Sequence, residues 1–508
     1  MKVLSMYLPQ FHRTKENDAW WGEGFTEWTA VRRAKPLFEG HDEPRKPLDD
    51  NYYNLLDKET MQWQAALMRK YGIDGQVFYH YYFRDGRKIL EKPAENLLKW
   101  QDIDMPFCFS WANESWIRSW SNIYGVNGNA WFDSFDKQSG KTEGSGILLE
   151  QSYGGRREWD EHFRYLLPFF KDRRYICYEG KPVFLIYRAG LIPCLKDMLE
   201  RWRELAKQNG LPGLYLITTY GDRAELFDNT LLQEPQSTLR ELELERRDGL
   251  PGMKDYTALC QTALSRRPEP NTCLSAFPGY DDTPRRGTGG TAVTGSSPEL
   301  FALFLEHQLE KAQSLQSPFF FINAWNEWGE GMYLEPDKRY GFGYLRAVRD
   351  ARKVAALSSP QQEVPGAAKP AGCAVSSQTD RKIQKYRGYW EIMDRWLSMH
   401  DNGTSPADLL KERGITSISL YGVGMLGMHL VKDLQANGIA IEYGVDRMRY
   451  GIDIGFRVYS PDEELPETEC MIITVPSEFE SIRSTLAGKV KGELLNIGEL
   501  ILSWGTAE

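Results

Sequence analysis

The sequence predicts an α/β protein: a (β/α)8 TIM-type barrel with loop insertions, followed by a small C-terminal Rossmann-like α/β domain. Eight short apolar runs alternate with helical patterns over roughly the first 350 residues, as in such barrels. A stretch rich in Pro, Ala, Ser and Gly, 357–377, then interrupts the apolar periodicity. After it, a strand, a glycine-rich turn and a helix follow one another at 417–434.

The eight predicted barrel strands are short and mostly apolar. They are 2–7, 73–79, 105–111, 182–187, 214–219, 229–233, 272–277 and 318–324. Helices are predicted between them at 58–71, 158–170, 195–209, 255–265 and 298–313. The sixth strand is the weakest of the eight. An open doubly wound sheet is the alternative, but no glycine-rich phosphate loop follows the first strand.

A chain of 508 residues is too long for one ordinary hydrophobic core. We therefore predict three segments: the barrel domain (1–356), a linker (357–377), and a helical lead-in with the Rossmann-like domain (378–508). Limited proteolysis is expected to cut first within the linker, because its composition predicts no packed structure.

Composition and charge exclude several classes of function. The net charge is −9 and no long run of Lys or Arg occurs, so nucleic acid is not an expected partner. The 16 Trp and 26 Tyr suit stacking on sugar rings, or else bulky cores. Seven scattered cysteines fit a reducing compartment. Since no membrane-spanning segment or signal peptide is found, the expected location is the cytoplasm.

The end of the eighth strand carries the strongest signal for chemistry. In NAWNEWGEG, residues 323–331, Glu327 and Glu330 stand among tryptophans and glycines. Glycosidic-bond chemistry needs one carboxyl group to protonate the leaving oxygen and another as base or nucleophile. We predict Glu327 and Glu330 as this catalytic pair, on a solvent-facing loop whose turn Gly329 and Gly331 permit through their freedom at positive φ. Solvated surface glutamates are the alternative.

Other strand ends supply candidate substrate-binding residues, which combine aromatic bodies with polar groups. They are Tyr7, Gln10, His12, Glu27, Trp28, His80, Tyr81, Trp111, Asn113, Glu114, Trp116, Tyr280, Asp281, Trp325, Asn326 and Trp328. Structural roles are the alternative, such as helix capping by Asn113, an ion pair of Glu114 with Arg118, or histidines in the core. Arg285 is expected to order an aspartate rather than to bind phosphate. A flexible loop or lid is expected at 286–297.

The C-terminal domain contains a glycine pattern typical of nucleotide binding. Gly422, Gly424 and Gly427 lie between a strand and a helix, and Asp446 ends the next strand. In dinucleotide-binding folds the glycines approach a pyrophosphate and the acid contacts the ribose. We predict a nucleotide or nucleotide-sugar site there, with a structural or partner-docking module as the alternative. No cofactor is expected to be required, and no metal, because no ligand cluster is visible.

Six motifs in order resemble one known family: MYLPQFH, WWGEGFTEWT, GIDGQVFYHYYF, CFSWANESW, AFPGYDDTPRR and INAWNEWGEGMYLEPD. They are similar to the glycoside hydrolase family 99-like, WbsX-type proteins of bacterial surface-polysaccharide clusters. The resemblance covers residues 1 to about 350. It implies a barrel that acts on glycosidic bonds in lipopolysaccharide, O-antigen or capsule biosynthesis, possible association with the polysaccharide-synthesis machinery, and retaining-type chemistry. A glycosyltransferase using a nucleotide-sugar donor and a non-catalytic glycan-binding scaffold are the alternatives.

The resemblance also implies roles for the two glutamates. In the hydrolases of that family, the motif Asn-Glu-Trp-x-Glu-Gly contains a base and a general acid. Carried over, Glu327 deprotonates the sugar 2-hydroxyl, which attacks C1 to form a 1,2-anhydro sugar. Glu330 then serves as acid and afterwards as base at the leaving group. Gly329 stands where those hydrolases carry histidine, and this departure argues against simple extracellular hydrolysis.

Overall fold

In the computed structural model, the chain separates into two compact units, residues 1–362 and 363–508. The structure describes residues 1–117, 147–358, 388, 392–393, 395–396, 398–400, 402–423, 425–446 and 455–504. All but the first two positions of the proposed linker lie outside these residues, so the linker and its boundaries stay a prediction.

The first unit is built on eight parallel strands that close into a barrel. They are β1 (Lys2–Tyr7), β2 (Gly75–Tyr82), β3 (Phe107–Trp111), β4 (Lys181–Ile186), β5 (Tyr215–Thr219), β6 (Asn229–Leu231), β7 (Thr272–Cys273 with Ser275–Ala276) and β8 (Phe319–Ile322). Each strand pairs in parallel with the next, and β8 pairs with β1. The predicted (β/α)8 barrel is confirmed, including its weak sixth strand.

The seventh strand closes the ring in two halves. Its first half, Thr272–Cys273, pairs with β6, and its second half, Ser275–Ala276, pairs with β8. Leu274 lies between the halves. The ring is therefore continuous in strand order, and the carboxyl ends of all eight strands meet at one end of the barrel.

The strands are recognisable in the sequence because they are buried throughout. Every residue of β3, β5 and β8 is buried. Parallel strands covered on both faces have continuous apolar runs instead of an alternating pattern. This is why short runs such as FFFI located the strands correctly.

Helices alternate with the strands in the first unit. They are Lys15–Trp21, Glu27–Arg33, Lys58–Tyr71, Lys92–Lys99, Arg156–Phe170, Leu195–Gln208, Gln236–Leu239, Tyr256–Ser265, Thr283–Arg286, Pro298–Ser314 and Gly343–Ser358. The helix Pro298–Ser314 shows why the bounds were readable. The Ser297 hydroxyl accepts the Leu300 N–H at 3.3 Å, and proline occupies the first helical position. Within the described residues, no helix is long and apolar enough to traverse a bilayer.

The segment 286–297 is not the flexible loop that its glycines suggested. Thr291–Thr294 forms a strand that pairs in parallel with Gly252–Asp255. The Thr291 N–H also donates to the Asp282 carboxylate at 2.6 Å. These hydrogen bonds anchor the segment beside the mouth of the barrel.

The second unit contains a five-stranded parallel sheet. Its strands are β9 (Ser417–Tyr421), β10 (Ala440–Val445), β11 (Val458–Tyr459), β12 (Cys470–Ile473) and β13 (Glu493–Asn496), with Pro406–Glu412, Met425–Ala436, Phe479–Leu486 and Ile497–Leu502 as helices. The spatial order is β11-β10-β9-β12-β13. Numbered from β9, this is 3-2-1-4-5, the order of a Rossmann-like sheet. The predicted Rossmann-like domain is confirmed.

The glycine-rich turn of this unit follows β9. Gly422 has φ 91°, and a Cβ on Gly427 would collide with the Gly422 carbonyl oxygen, so both positions require glycine. The Asp446 carboxylate accepts the Val423 N–H at 2.8 Å, which ties it to the turn. Gly424 lies outside the described residues. Nucleotide binding at this turn stays a prediction.

Candidate active site

A cavity of about 550 Å³ opens at the carboxyl ends of the barrel strands. This volume lies within the range of small-molecule and sugar sites. Eight of the predicted site residues line it: Gln10, Glu27, Tyr81, Glu114, Trp116, Tyr280, Glu327 and Glu330. The two glutamates of the NEWGEG stretch therefore face the same space as the aromatic and amide groups of other strand ends.

Glu327 and Glu330 lie on a tight hairpin after β8. Asn326–Glu327 pairs antiparallel with Met332–Tyr333, and a single 3-10 turn, Trp328–Glu330, joins them. The Glu327 side chain is only 7% exposed and that of Glu330 is 21% exposed. The expectation of a solvent-facing loop was therefore wrong for Glu327.

One guanidinium holds three carboxylates at the cavity wall. Arg285 Nε donates to Glu27 Oε1 at 2.7 Å, and its Nη2 donates to Glu327 Oε2 at 2.8 Å. Its Nη1 contacts Glu330 Oε1. Arg285 was expected to order an aspartate, but it instead brings together glutamates from two separate strand ends, Glu27 after β1 and Glu327 and Glu330 after β8. Charge-assisted bonds of this kind fix both the position and the orientation of the carboxylates.

Gly329 makes this arrangement possible for a steric reason. A Cβ at position 329 would overlap the Glu27 carboxylate and lie 2.9 Å from Arg285 Nε. The Glu27–Arg285 ion pair therefore occupies the space that a side chain at position 329 would need. Of the two hairpin glycines in the described structure, only Gly331, with φ 57°, adopts the left-handed conformation.

The two hairpin glutamates are poised to retain a proton at neutral pH. Burial raises the pKa of Glu327, Arg285 opposes the shift and Glu330 and Glu27 add to it, which brings the pKa to about 8. Burial also raises the pKa of Glu330, and Arg285 again opposes the shift. Carboxyl groups this close titrate as a pair. In the free protein the pair therefore retains at least one proton at neutral pH.

A fourth glutamate, Glu335, lies beneath the hairpin and was not singled out in the sequence. Four groups donate to its carboxylate, each at 2.8 Å: the hydroxyl of Tyr53, the amide of Gln64, and the indole N–H groups of Trp325 and Trp328. Glu335 is 1% exposed. Trp325 and Trp328 therefore anchor the hairpin from below and do not form a wall of the cavity.

Asn326 fastens the hairpin to the first strand. Its Oδ1 accepts the Leu8 N–H at 2.8 Å, and its Nδ2 donates to the Leu8 carbonyl at 3.0 Å. Asn326 is fully buried, so both bonds are shielded from water. It acts as a positioning residue for Glu327, its neighbour in the chain.

Ten of the predicted residues lie under or beside the cavity without lining it: Tyr7, His12, Trp28, His80, Trp111, Asn113, Asp281, Trp325, Asn326 and Trp328. Their polar groups mostly bond within the fold. Trp28, for example, donates its indole N–H to the Tyr53 carbonyl at 2.8 Å, and Tyr7 donates to Gln64 at 2.7 Å. These residues shape the cavity from behind.

The histidines predicted at strand ends belong to the interior. His80 Nε2 lies 2.9 Å from His162 Nε2, in a buried aromatic surrounding. Burial lowers the pKa of His80 to about 3 and that of His12 to about 4. Both rings are therefore neutral at pH 7 and, not lining the cavity, are not placed to exchange protons with a ligand there.

Asp281 supports Glu330 from the backbone side. Its N–H donates to the Glu330 carbonyl at 2.6 Å, and its carboxylate lies 2.7 Å from His41 Nε2. His41, Glu43 and Asp281 bring ligand-type atoms within 4.8 Å of one another, a grouping that the sequence did not reveal. The Arg45 guanidinium supplies positive charge there, with Nη1 3.0 Å from Glu43.

Several lining residues were not predicted from the sequence. Tyr79, Tyr187 and Tyr220 line the cavity, and the hydroxyls of Tyr187 and Tyr220 lie 3.0 Å apart. Arg188 and Arg240 lie beside them. Tyr187, Arg188 and Tyr220 follow strands directly, so the same strand-end signal that identified Glu327 could have found them.

The fully buried Asn113 places one of these arginines. Its Oδ1 accepts the Arg188 N–H and its Nδ2 donates to the Arg188 carbonyl, both at 2.8 Å. The Arg188 guanidinium then bonds Glu114 at 3.1 Å. Asn113 thus contributes to the site indirectly.

Known proteins support the family that the six motifs suggested. Two curated relatives, both called Uncharacterized protein WxcX and from two strains of Xanthomonas campestris pv. campestris, are 29% identical over 457 residues. The match covers 87% of this chain but 59% of the relatives, so the chain spans about three fifths of their length.

Two solved structures are similar at low identity. The GH99 endo-alpha-mannosidase from Bacteroides thetaiotaomicron is 15% identical, covering 70% of this chain and 97% of its own, with a TM-score of 0.41. A glycoside hydrolase-like protein is 14% identical, covering 69% of this chain and 93% of its own, with a TM-score of 0.43.

The profile of the family described as Glycosyltransferase WbsX matches residues 3–348, well over half of the chain. The chain therefore belongs to the WbsX glycosyltransferase family.

Proposed function

We propose that the protein makes, transfers or cleaves glycosidic bonds of a bacterial surface polysaccharide, with Glu327 and Glu330 as its acid–base pair. The observation that carries the proposal is the placement of both carboxyl groups on one cavity wall around Arg285. Family membership supports a glycan as the substrate. The tyrosines and Trp116 in the cavity lining supply the aromatic faces on which sugar rings stack.

The roles of the pair follow the family resemblance. Glu327 takes the proton of the sugar 2-hydroxyl, and the freed oxygen attacks C1 while the bond from C1 to the leaving oxygen breaks. Glu330 gives its proton to that oxygen. In the second half, an acceptor hydroxyl attacks C1 while the C1–O2 bond of the 1,2-anhydro sugar breaks, Glu330 receives the acceptor's proton, and Glu327 returns its proton to O2. Water as acceptor gives hydrolysis, and a sugar hydroxyl gives transfer.

This scheme needs a pair that carries one proton at the start. The raised pKa values of the two carboxyl groups support this requirement, because a pKa of about 8 for Glu327 keeps a proton on the pair at neutral pH. We expect kcat/KM to fall as the pH rises through about 8, since this parameter reports the ionisation of the free enzyme. The productive form has its proton on Glu330, next to the leaving oxygen.

A transferase that uses a nucleotide-sugar donor is the second candidate. The strand order of the second unit and the left-handed Gly422 after its first strand favour a nucleotide ligand. Product analysis with activated glycosides and with nucleotide sugars separates this candidate from a hydrolase.

The test is made on the substrate that such a panel identifies. Glu330→Gln should lower turnover by roughly 10²- to 10⁴-fold, the usual worth of a positioned proton donor. The loss should shrink for a nitrophenyl leaving group, which needs little protonation. Glu327→Gln should slow all substrates alike, because the attack at C1 is impaired whatever group departs.

Glu225→Gln is the matched control, since Glu225 is exposed, pairs with Arg223 and lies away from the cavity. It should leave turnover unchanged. Near-normal rates for both Glu327→Gln and Glu330→Gln would show that these glutamates are not the catalytic pair. The cavity would then fit a glycan-binding scaffold better.

A further inference from the structure

The cavity has a second charged side, across the barrel mouth from the glutamates. Glu327 and Glu330 follow β8 and Glu27 follows β1. In a closed ring of eight strands, β4 and β5 lie opposite β8 and β1. Arg188 follows β4 and Tyr220 follows β5, and both line the same cavity as the glutamates.

Arg240 is presented on this second side by an aromatic face. Its guanidinium carbon lies 3.9 Å from the centre of the Tyr220 ring. In the part of the chain that the structure describes, Arg240 makes no ion pair with a carboxylate. A guanidinium stacked in this way keeps its N–H edge available for a ligand.

Positive charge exceeds negative charge on this side. Arg188, Arg240 and the carboxylate of Glu114 line the cavity on this side, and Arg246, which follows Arg240 in the chain, also lines the cavity. Glu114 engages Arg188 at 3.1 Å, whereas Arg246, like Arg240, forms no ion pair among the described residues. On the opposite side, three carboxylates surround the single guanidinium of Arg285, so negative charge exceeds positive charge in that group.

We propose that Arg188, Arg240 and Arg246 form a subsite for a phosphoryl group carried by the glycan substrate. The inference rests on the proposed function, because it places this group across the cavity from the reacting bond. Guanidinium groups match phosphate oxygens in geometry and charge. Two unpaired guanidiniums suit a dianion, whereas a uronate carboxylate would leave one of them uncompensated.

The phosphoryl group could be a monoester substituent on a sugar or part of a diphosphate that links the glycan to a carrier. Both present the same oxyanions to the arginines. Calorimetric titration of the full chain compares the two sources. The ligands are glucose 6-phosphate and inorganic pyrophosphate, with glucose and glucuronate as controls. We expect saturable binding of at least one phosphate compound that is tighter than that of glucuronate and weakens with added salt. The tighter phosphate compound identifies the source.

Arg240→Gln should weaken phosphate binding roughly 10- to 100-fold, the scale of a lost charge-assisted hydrogen bond. Arg246→Gln should act in the same direction. Arg247→Gln is the matched control, because Arg247 is a highly exposed neighbour that does not line the cavity; it should bind like the wild type. An unchanged thermal midpoint shows that each variant is folded.

Glucuronate binding as tight as that of both phosphate compounds, no phosphate binding, or undiminished binding by Arg240→Gln would each overturn the subsite. None of these measurements requires turnover. Glu327→Gln and Glu330→Gln should still bind phosphate, because they leave the far side intact. A failed subsite is thereby distinguished from a failed catalytic assignment, which shows itself in the rates alone.

Discussion

Glu335 and Glu330 lie five residues apart in one segment, yet they occupy opposite kinds of surroundings. The Glu335 carboxylate is enclosed by four donors, none of them a full cation, and has no exposure to the cavity. Glu330 shares the single guanidinium of Arg285 with two other carboxylates and borders open space. The Glu335 carboxylate has no hydrogen-bonding capacity left for a ligand. The Glu330 carboxylate can exchange its present partner for a ligand.

A raised pKa does not separate the two kinds of site. Burial raises the pKa of Glu335 to about 7, although its four hydrogen bonds lower it, and burial raises that of Glu327 to about 8. The two kinds of site differ in the groups that surround the carboxyl group. A carboxyl group saturated by fixed donors stabilises the fold, and one that faces a cavity beside a shared cation is available for chemistry.

The largest effect should come from removing the saturated carboxylate. Glu335→Ala leaves four buried donors without an acceptor, at about 1–3 kcal/mol for each donor that finds no substitute. We expect the free energy of unfolding of the barrel to fall by about 4 kcal/mol or more, as measured by urea denaturation.

Glu330→Ala is the matched deletion on the cavity side. It should cost far less stability, because Arg285 keeps Glu27 and Glu327 and water can enter the vacated space. It should instead abolish most turnover. Similar unfolding curves for Glu335→Ala and Glu330→Ala would contradict the distinction between the two carboxylates.

A smaller effect is expected from filling the space beside the hairpin. In Gly329→Ala the new methyl group would overlap the Glu27 carboxylate, so the Glu27–Arg285 pair must shift. Overpacking of this kind costs about 1–3 kcal/mol. Gly388→Ala is the control, since no atom lies within 4 Å of its added Cβ. Equal stability of Gly329→Ala and the wild type would show that the pair moves freely.

The smallest change should be a shift in pH dependence. Arg285 lowers the pKa of both Glu327 and Glu330, so Arg285→Gln should raise both values. The alkaline limb of the kcat/KM profile should then move from about pH 8 to higher pH by about one unit or more. Arg285→Lys retains the charge and should keep the limb near its original position. A limb that moved to lower pH would contradict the arrangement.

The fold could be predicted from the sequence because buried parallel strands and capped helices leave local patterns. All eight barrel strands were located by apolar runs of four to eight residues. Those patterns do not say which side chains face the cavity. Trp325, Asn326, Glu327 and Trp328 are consecutive in the sequence, and of these four only Glu327 lines the cavity.

Contacts between distant strand ends could not be predicted in the same way. The link between Arg285 and Glu27 spans 258 positions and depends on the absence of a side chain at Gly329. The residues near Arg285 in the sequence do not indicate whether its partners are three glutamates or an aspartate. Glu335 was overlooked for the same reason, since two of its donors, Tyr53 and Gln64, come from the first hundred residues.

The split seventh strand gives the two sides of the glutamate site unequal stiffness. It contributes two residue pairs to each neighbour, whereas β8 is joined to β1 by four. Local opening requires least free energy where the backbone is least paired. Arg285 is carried by the chain that leaves this compliant strand, and Glu327 and Glu330 by the chain that leaves the stiffer one. Local opening of the backbone should therefore require less free energy beside Arg285 than beside Glu327 and Glu330.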